Sequence, residues 1–136
     1  MGFAAVSGIV VGVDGSESSR EALKWAVAEA ALRATTITAV SAWKPSKSAG
    51  SVTRLPPNDD ESIARTALAA ETTALANADL PIANELVKGK ATKVLTAASA
   101  DAELLVVGSS AHGRHLGSVA LHCVREANCS VVVVRT

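Results

Sequence analysis

A chain of 136 residues is long enough for one hydrophobic core of ordinary domain size and too short for two stable ones, so residues 1–136 are expected to form a single domain. Its 13 Lys and Arg balance its 13 Asp and Glu, and the basic residues are spread along the sequence, which argues against nucleic acid or an anionic membrane as a partner. Aromatic residues make up only 2% of the chain, so the core has to be built from Ala and Val brought close together.

Met1 to Val13 has neither a basic start nor an unbroken apolar run, so no signal peptide or membrane span is expected there. The protein is expected in the reducing cytoplasm, with Cys123 and Cys129 as buried thiols and the Asn128-Cys129-Ser130 sequon idle. The first element is the β-branched run Ile9 to Val13, a strand buried on both faces and closed by the turn residues Asp14-Gly15-Ser16. Ser18 and Glu21 have capping-box spacing, and Leu23, Ala26, Val27, Ala30 and Ala31 recur at helical intervals up to Arg33. Trp25 falls off that stripe and is expected half-exposed. Thr36 to Ala42 reads as a second strand, and the Pro- and Ser-rich segment from Lys44 to Asp60 as a flexible loop and candidate lid.

A second helix follows, with Asp59, Asp60 and Glu61 at its start and Ile63, Ala67, Ala70, Ala74, Leu75 and Ala78 as its expected buried stripe. Ile82 to Val87 alternates like a less enclosed third strand, and Ala91 to Ala100 reads as a third helix. Leu104 to Gly108 is the fourth strand, Ser118 to Ala127 the fourth helix and Val131 to Val134 the fifth strand. Unbroken alternation predicts an open parallel five-stranded α/β sheet, doubly wound, with helices on both faces. Ligands of such sheets bind beyond the strand carboxyl ends, where strand order reverses. That singles out Asp14 to Ser16, the loop from Lys44, Lys88 to Lys90 and Gly108 to Ser118.

The loop Gly108-Ser109-Ser110-Ala111-His112-Gly113-Arg114-His115-Leu116-Gly117-Ser118-Val119 feeds a helix. Glycines admit close approach of backbone N–H groups, and a helix start adds unsatisfied donors and a positive dipole end, so phosphate suits it. The plainer reading is a strand-to-helix turn capped by Gly117-Ser118. Asp14 has the same two readings, as a crevice acid able to help hold magnesium through water or as a turn residue ahead of a helix. His112, His115, His122 and Cys123 lack the paired spacing of a zinc site.

Val11-Gly12-Val13-Asp14-Gly15-Ser16, Leu105-Val106-Val107-Gly108-Ser109, Leu116-Gly117-Ser118-Val119 and the run from Ala127 to Val134 together resemble the universal stress proteins, in order and over essentially the whole chain. The resemblance implies an adenine-nucleotide site for ATP, ADP or AMP, with or without Mg. By that resemblance Asp14, Gly15, Ser16, Val40, Gly108, Ser109, Gly113, Arg114, Gly117, Ser118 and Val119 would contact the ligand. It also implies a homodimer through Val131, Val132, Val133 and Val134, and a ligand-dependent role in stress response. The chain departs from the family's ATP-binding pattern: Ala111 stands where the second glycine belongs, and the stretch from there to Gly117 is four residues short. Gly113 is the replacement glycine, Arg114 with His112 and His115 the candidate phosphate contacts, and few contacts to the outermost phosphate are expected.

Neither a Walker loop nor a kinase residue set is present, so dedicated catalysis is not expected. A phospho-accepting receiver domain would need an acid after the third strand and a Lys after the fifth, where this chain has Lys88-Gly89-Lys90 and Arg135-Thr136. The competing function is a relative that has lost ATP and acts through dimerisation and protein contacts alone.

Overall fold

The computed structural model describes residues 7–45, 59–76, 79–110 and 115–136. Its elements, in chain order, are β1 (Ile9–Gly12), α1 (Glu17–Arg33), β2 (Ile37–Trp43), α2 (Asp59–Thr73), β3 (Ile82–Lys88), α3 (Ala91–Ala98), β4 (Leu104–Gly108), α4 (Ser118–Glu126) and β5 (Ser130–Val134). The strands form one parallel sheet in the order β3-β2-β1-β4-β5, so the chain winds outward to β3 and then returns to the other side of β1. The sequence-based fold class holds, and the reversal of strand order falls between β1 and β4.

Period-two alternation divides the core into two layers. Ile9, Val11, Leu104 and Val106 pack with Leu23, Ala26, Ala30 and Leu68 under α1 and α2. Val10, Val40, Leu105 and Val107 pack with Val94, Leu95, Ala98 and Cys123 under α3 and α4. β1 and β4 are therefore buried on both faces, whereas the edge strand β3 is half-open, as its alternation predicted. Small helical residues let this happen without aromatics: Ala22, Ala26, Ala30 and Ala98 are all fully enclosed. Cys123 is enclosed as expected, while Cys129 is only half-buried. Among the described residues no helix is long and apolar enough to cross a membrane.

Two local readings are corrected. α1 begins at Glu17 rather than behind Ser18, because Ser16 is the N-cap whose hydroxyl accepts from Ser19 N–H. The expected stripe of α2 is largely exposed: Ile63 is 63% exposed, Ala67, Ala70 and Ala74 face solvent, and Leu75 is half-buried beyond the helix end. The buried positions are Leu68 and Thr72, the latter satisfying its hydroxyl on the Leu68 carbonyl (3.1 Å). Ala78 and most of the Lys44 to Asp60 loop lie outside the described residues.

Candidate functional site

The carboxyl ends of β1, β2 and β4 and the starts of α3 and α4 enclose a cavity of about 150 Å³ at the reversal of strand order. Val40, Ala42, Leu95, Val107 and Val119 make its apolar wall, and Asp14, Ser19, Ser110, Gly117 and Ser118 its polar rim. Of the residues singled out from sequence, Asp14, Val40, Gly108, Gly117, Ser118 and Val119 thus line one space. Ser109 is buried behind it, where its N–H donates to the Val134 carbonyl (2.9 Å). Gly15 and Ser16 form the turn beside it, and Gly113 and Arg114 lie outside the described residues.

The α4 end of the cavity is built by close backbone approach. Gly117 N–H donates to the Ser109 carbonyl (2.8 Å), and a Cβ on Gly117 would lie 2.9 Å from that oxygen and 3.1 Å from the Ser110 carbonyl. Gly117 caps α4 in extended geometry without any side-chain bond, so the first-turn N–H groups of the helix are left for another partner. The positive end of the helix dipole points the same way. Gly108 is constrained still more tightly, since a Cβ there would come within 2.5 Å of the Ser18 backbone.

Opposite α4, Asp14 sits in a web of serines that the sequence reading did not assemble. Ser16 N–H donates to Asp14 Oδ1 (2.9 Å), and Asp14 N–H donates to Ser19 Oγ (3.2 Å). Ser110 N–H donates to Ser18 Oγ (2.9 Å), and the two hydroxyls are 3.0 Å apart. That bonding holds Ser110 in the left-handed region at φ 48°, an uncommon state for a residue with a Cβ. Burial alone would push the Asp14 carboxyl upward, but the side-chain and backbone bonds from Ser16, with those of Ser19 and Ser110, outweigh it and leave the group below the usual carboxylate range. Among the described residues Oδ2 has only a long 3.5 Å contact from Ser110 Oγ, so this oxygen keeps capacity for a ligand donor or a hydrated cation.

Arg20 braces the turn from outside: its Nη1 donates to the Gly15 carbonyl (2.8 Å) and lies 3.5 Å from Glu71 Oε2. The sequence reading named Ser18 only as a capping residue and Ser110 only within the loop after β4; it did not join them, because their contact depends on β1 and β4 being neighbours, and it did not name Ser19 or Leu95 as site residues. The Ser18 to Gly108 approach was signalled only by a glycine at a strand end. Among the described residues, no group of three or more His, Cys, Asp and Glu side chains is placed to hold a metal ion.

A strand-order reversal with an acid after β1 and a glycine-started helix after β4 defines a doubly wound α/β domain with its crevice at the switch point. The universal stress protein family model matches residues 7–135, and the chain belongs to that family. It is similar to two universal stress proteins of Mycobacterium tuberculosis, with 35% identity to one and 33% to the other, over 94% and 93% of this chain. It spans about half the length of these relatives, 48% and 47%. UspA of Lactobacillus plantarum superimposes with a TM-score of 0.75 at 22% identity, over 98% of this chain and all of that one. A universal stress protein solved in complex with cAMP superimposes with a TM-score of 0.67 at 29% identity, over 96% of this chain and 98% of that one.

Proposed function

We propose that this protein binds an adenine nucleotide, ATP, ADP or AMP, at the β1–β4 crevice, and that the bound state regulates its part in a cytoplasmic stress response. The carrying observation is that the uncapped start of α4 and the charged Asp14 face one apolar-walled cavity. A planar base fits the wall of Val40, Ala42, Leu95 and Val119, and a phosphate suits the N–H groups after Gly117. The 29%-identical relative carries cAMP, a ligand of the same chemistry. Asp14 Oδ2 is the group able to share a magnesium ion with the phosphates through water, since Mg²⁺ takes one or two carboxylates and keeps several waters. The function is binding rather than catalysis: the acid and serines of the crevice are engaged with backbone N–H groups and with one another, an arrangement that positions a ligand.

Equilibrium binding of AMP, ADP and ATP to purified protein tests this. Gly117→Asp puts a carboxylate and a Cβ against the Ser109 carbonyl and the phosphate position, and should weaken binding at least about 100-fold. No binding of any of the three at millimolar concentration would remove the nucleotide reading.

A second reading rests on β5. It is an edge strand carrying Val131, Val132, Val133 and Val134 half-buried, and Leu121 and Val124 are exposed on α4. An apolar edge of this kind pairs with another strand edge, which supports a homodimer whether or not a nucleotide is bound.

A further inference from the structure

We propose that a lysine-lined cleft next to the nucleotide cavity receives the outer phosphates of the ligand, so that ATP is bound in preference to AMP. The inference rests on the nucleotide reading above and reverses the expectation, drawn from the shortened glycine loop, that the third phosphate gains little.

The cleft measures about 340 Å³ and is lined by Trp43, Lys44, Gly89, Lys90 and Thr92, together with Ala42, Ala91, Ser118 and Val119, which it shares with the nucleotide cavity. The two spaces therefore meet at the start of α4. A phosphate chain anchored on the first N–H groups of α4 has this cleft as an open path. Its lining holds two cations and no carboxylate among the described residues. The start of α3 also borders it: Lys90 is the N-cap in extended geometry and makes no side-chain capping bond, so the first-turn donors of this eight-residue helix add to the positive field.

The sheet register brings the cations together. Trp43 pairs with Lys88 across β2 and β3, and Gly89 N–H donates to the Trp43 carbonyl (2.9 Å), so the residues after the two strands share one rim. Lys88 Nζ lies 5.8 Å from the centroid of the Trp43 ring. Elsewhere in the described chain, Arg20, Lys24, Arg33 and Arg65 are each paired with a glutamate, whereas Lys93 and Arg125 form no ion pair among the described residues. Lys44, Lys88 and Lys90 form no ion pair among the described residues. The cleft thus carries two unpaired lysines on one side of the crevice, with Asp14 and Glu71 on the other. Lys88 alone would be ordinary protection of an edge strand, but Lys44 and Lys90 lie beyond the strand ends, where no edge needs guarding. Where no cation bridges it to Asp14, a chain of phosphates is repelled from the acid side and drawn into the lysine side.

The test is calorimetric binding of AMP, ADP, ATP and inorganic tripolyphosphate to the wild type, Lys90→Ala and the Lys44→Ala/Lys90→Ala double variant. The wild type should prefer ATP to AMP by at least about tenfold, or about 1.4 kcal/mol. The double variant should lose most of that preference while its AMP affinity stays within about twofold, which also shows that the variant is folded and its cavity intact. Tripolyphosphate should bind the wild type and not the double variant. An ATP-to-AMP ratio near one in the wild type, or a ratio the double variant preserves, overturns the inference while leaving nucleotide binding in place. Lysine-dependent binding of tripolyphosphate with no nucleotide bound would remove the nucleotide reading and keep the cleft as a polyphosphate site. Binding of neither removes both.

Discussion

The two sides of the crevice are built on opposite plans. On the β1–β4 side, Asp14, Ser16, Ser18, Ser19 and Ser110 bond to one another and to backbone at 2.9–3.5 Å, and glycines admit contacts closer than any Cβ allows. On the β2–β3 side, Lys44 and Lys90 are exposed and form no ion pair among the described residues, and α3 starts without a side-chain cap. Apart from Asp14 Oδ2, the buried Glu71 Oε1 and the start of α4, the first side has its polar groups satisfied internally among the described residues, so it sets the shape of the cavity. The second has donors and charges in excess, so its partners have to come from solvent or from a ligand. Rigid placement on one side and unspent charge on the other is a division of labour that substitution can separate, because one side should report in stability and the other in binding.

Gly108→Ala is the strongest way to break the rigid side. A Cβ there meets the Ser18 backbone at 2.5 Å, and neither β4 nor the first turn of α1 can yield without disturbing the Ser18 to Ser110 bonds. Overpacking of this kind costs about 1–3 kcal/mol, and the backbone contact puts this site at the upper end of the range. Denaturant unfolding measures it. The same measurement on Lys90→Ala should move stability by less than about 0.5 kcal/mol, as for exposed surface positions in general. Equal losses in the two variants would erase the distinction between the sides.

β5 offers an intermediate test, since Ser109 N–H donates to the Val134 carbonyl and ties the rigid side to the strand proposed to pair between subunits. Val132→Lys puts a charge on that edge and should weaken self-association by at least about tenfold, or about 1.4 kcal/mol, in sedimentation at tens of micromolar. The variant should keep its α/β circular dichroism. A wild type that sediments as a monomer at these concentrations would set aside the β5 dimer.

What the sequence disclosed and what it hid follow from the range of the interactions. The alternation of β-branched runs and helical stripes was enough for the fold class, because burial on both faces leaves a mark on every residue of β1 and β4. Asp14 and Gly117 were legible as crevice residues because the crevice of an open parallel sheet lies beyond the strand carboxyl ends, so a strand followed by an acid or by a glycine-started helix is a local signal. The serine web and the lysine cleft were not, since Ser18 meets Ser110 across 92 positions and Lys44 meets Lys90 only through the register of Trp43 on Lys88. Scattered basic residues looked neutral in sequence for the same reason. α2 misled because a helix rich in alanine offers little contrast between its faces, and the buried Thr72 conceals its polarity by bonding back to the Leu68 carbonyl.

The smallest expected effect probes the charge at the centre of the rigid side. Burial works against the ionised form of Asp14, yet the bonds from Ser16, Ser19 and Ser110 hold its folded pKa below the ordinary value of 3.8. A depressed carboxylate adds stability that is fully present above the unfolded pKa and is lost as pH falls through the lower folded value. Stability of the wild type should therefore exceed that of Asp14→Asn at pH 6, with a difference on the order of 1 kcal/mol, as expected for a hydrogen-bonded partly buried carboxylate. The advantage should hold down to about pH 4 and shrink below it, because the asparagine variant has no proton to take up at that position. Unfolding curves of both proteins between pH 6 and pH 2.5 measure the change. A difference that stays constant across that range would mean that Asp14 contributes through its shape and neutral hydrogen bonds alone. A difference that grows as the pH falls would mean that burial outweighs the serine web and that the carboxyl is held protonated more readily than in the unfolded chain.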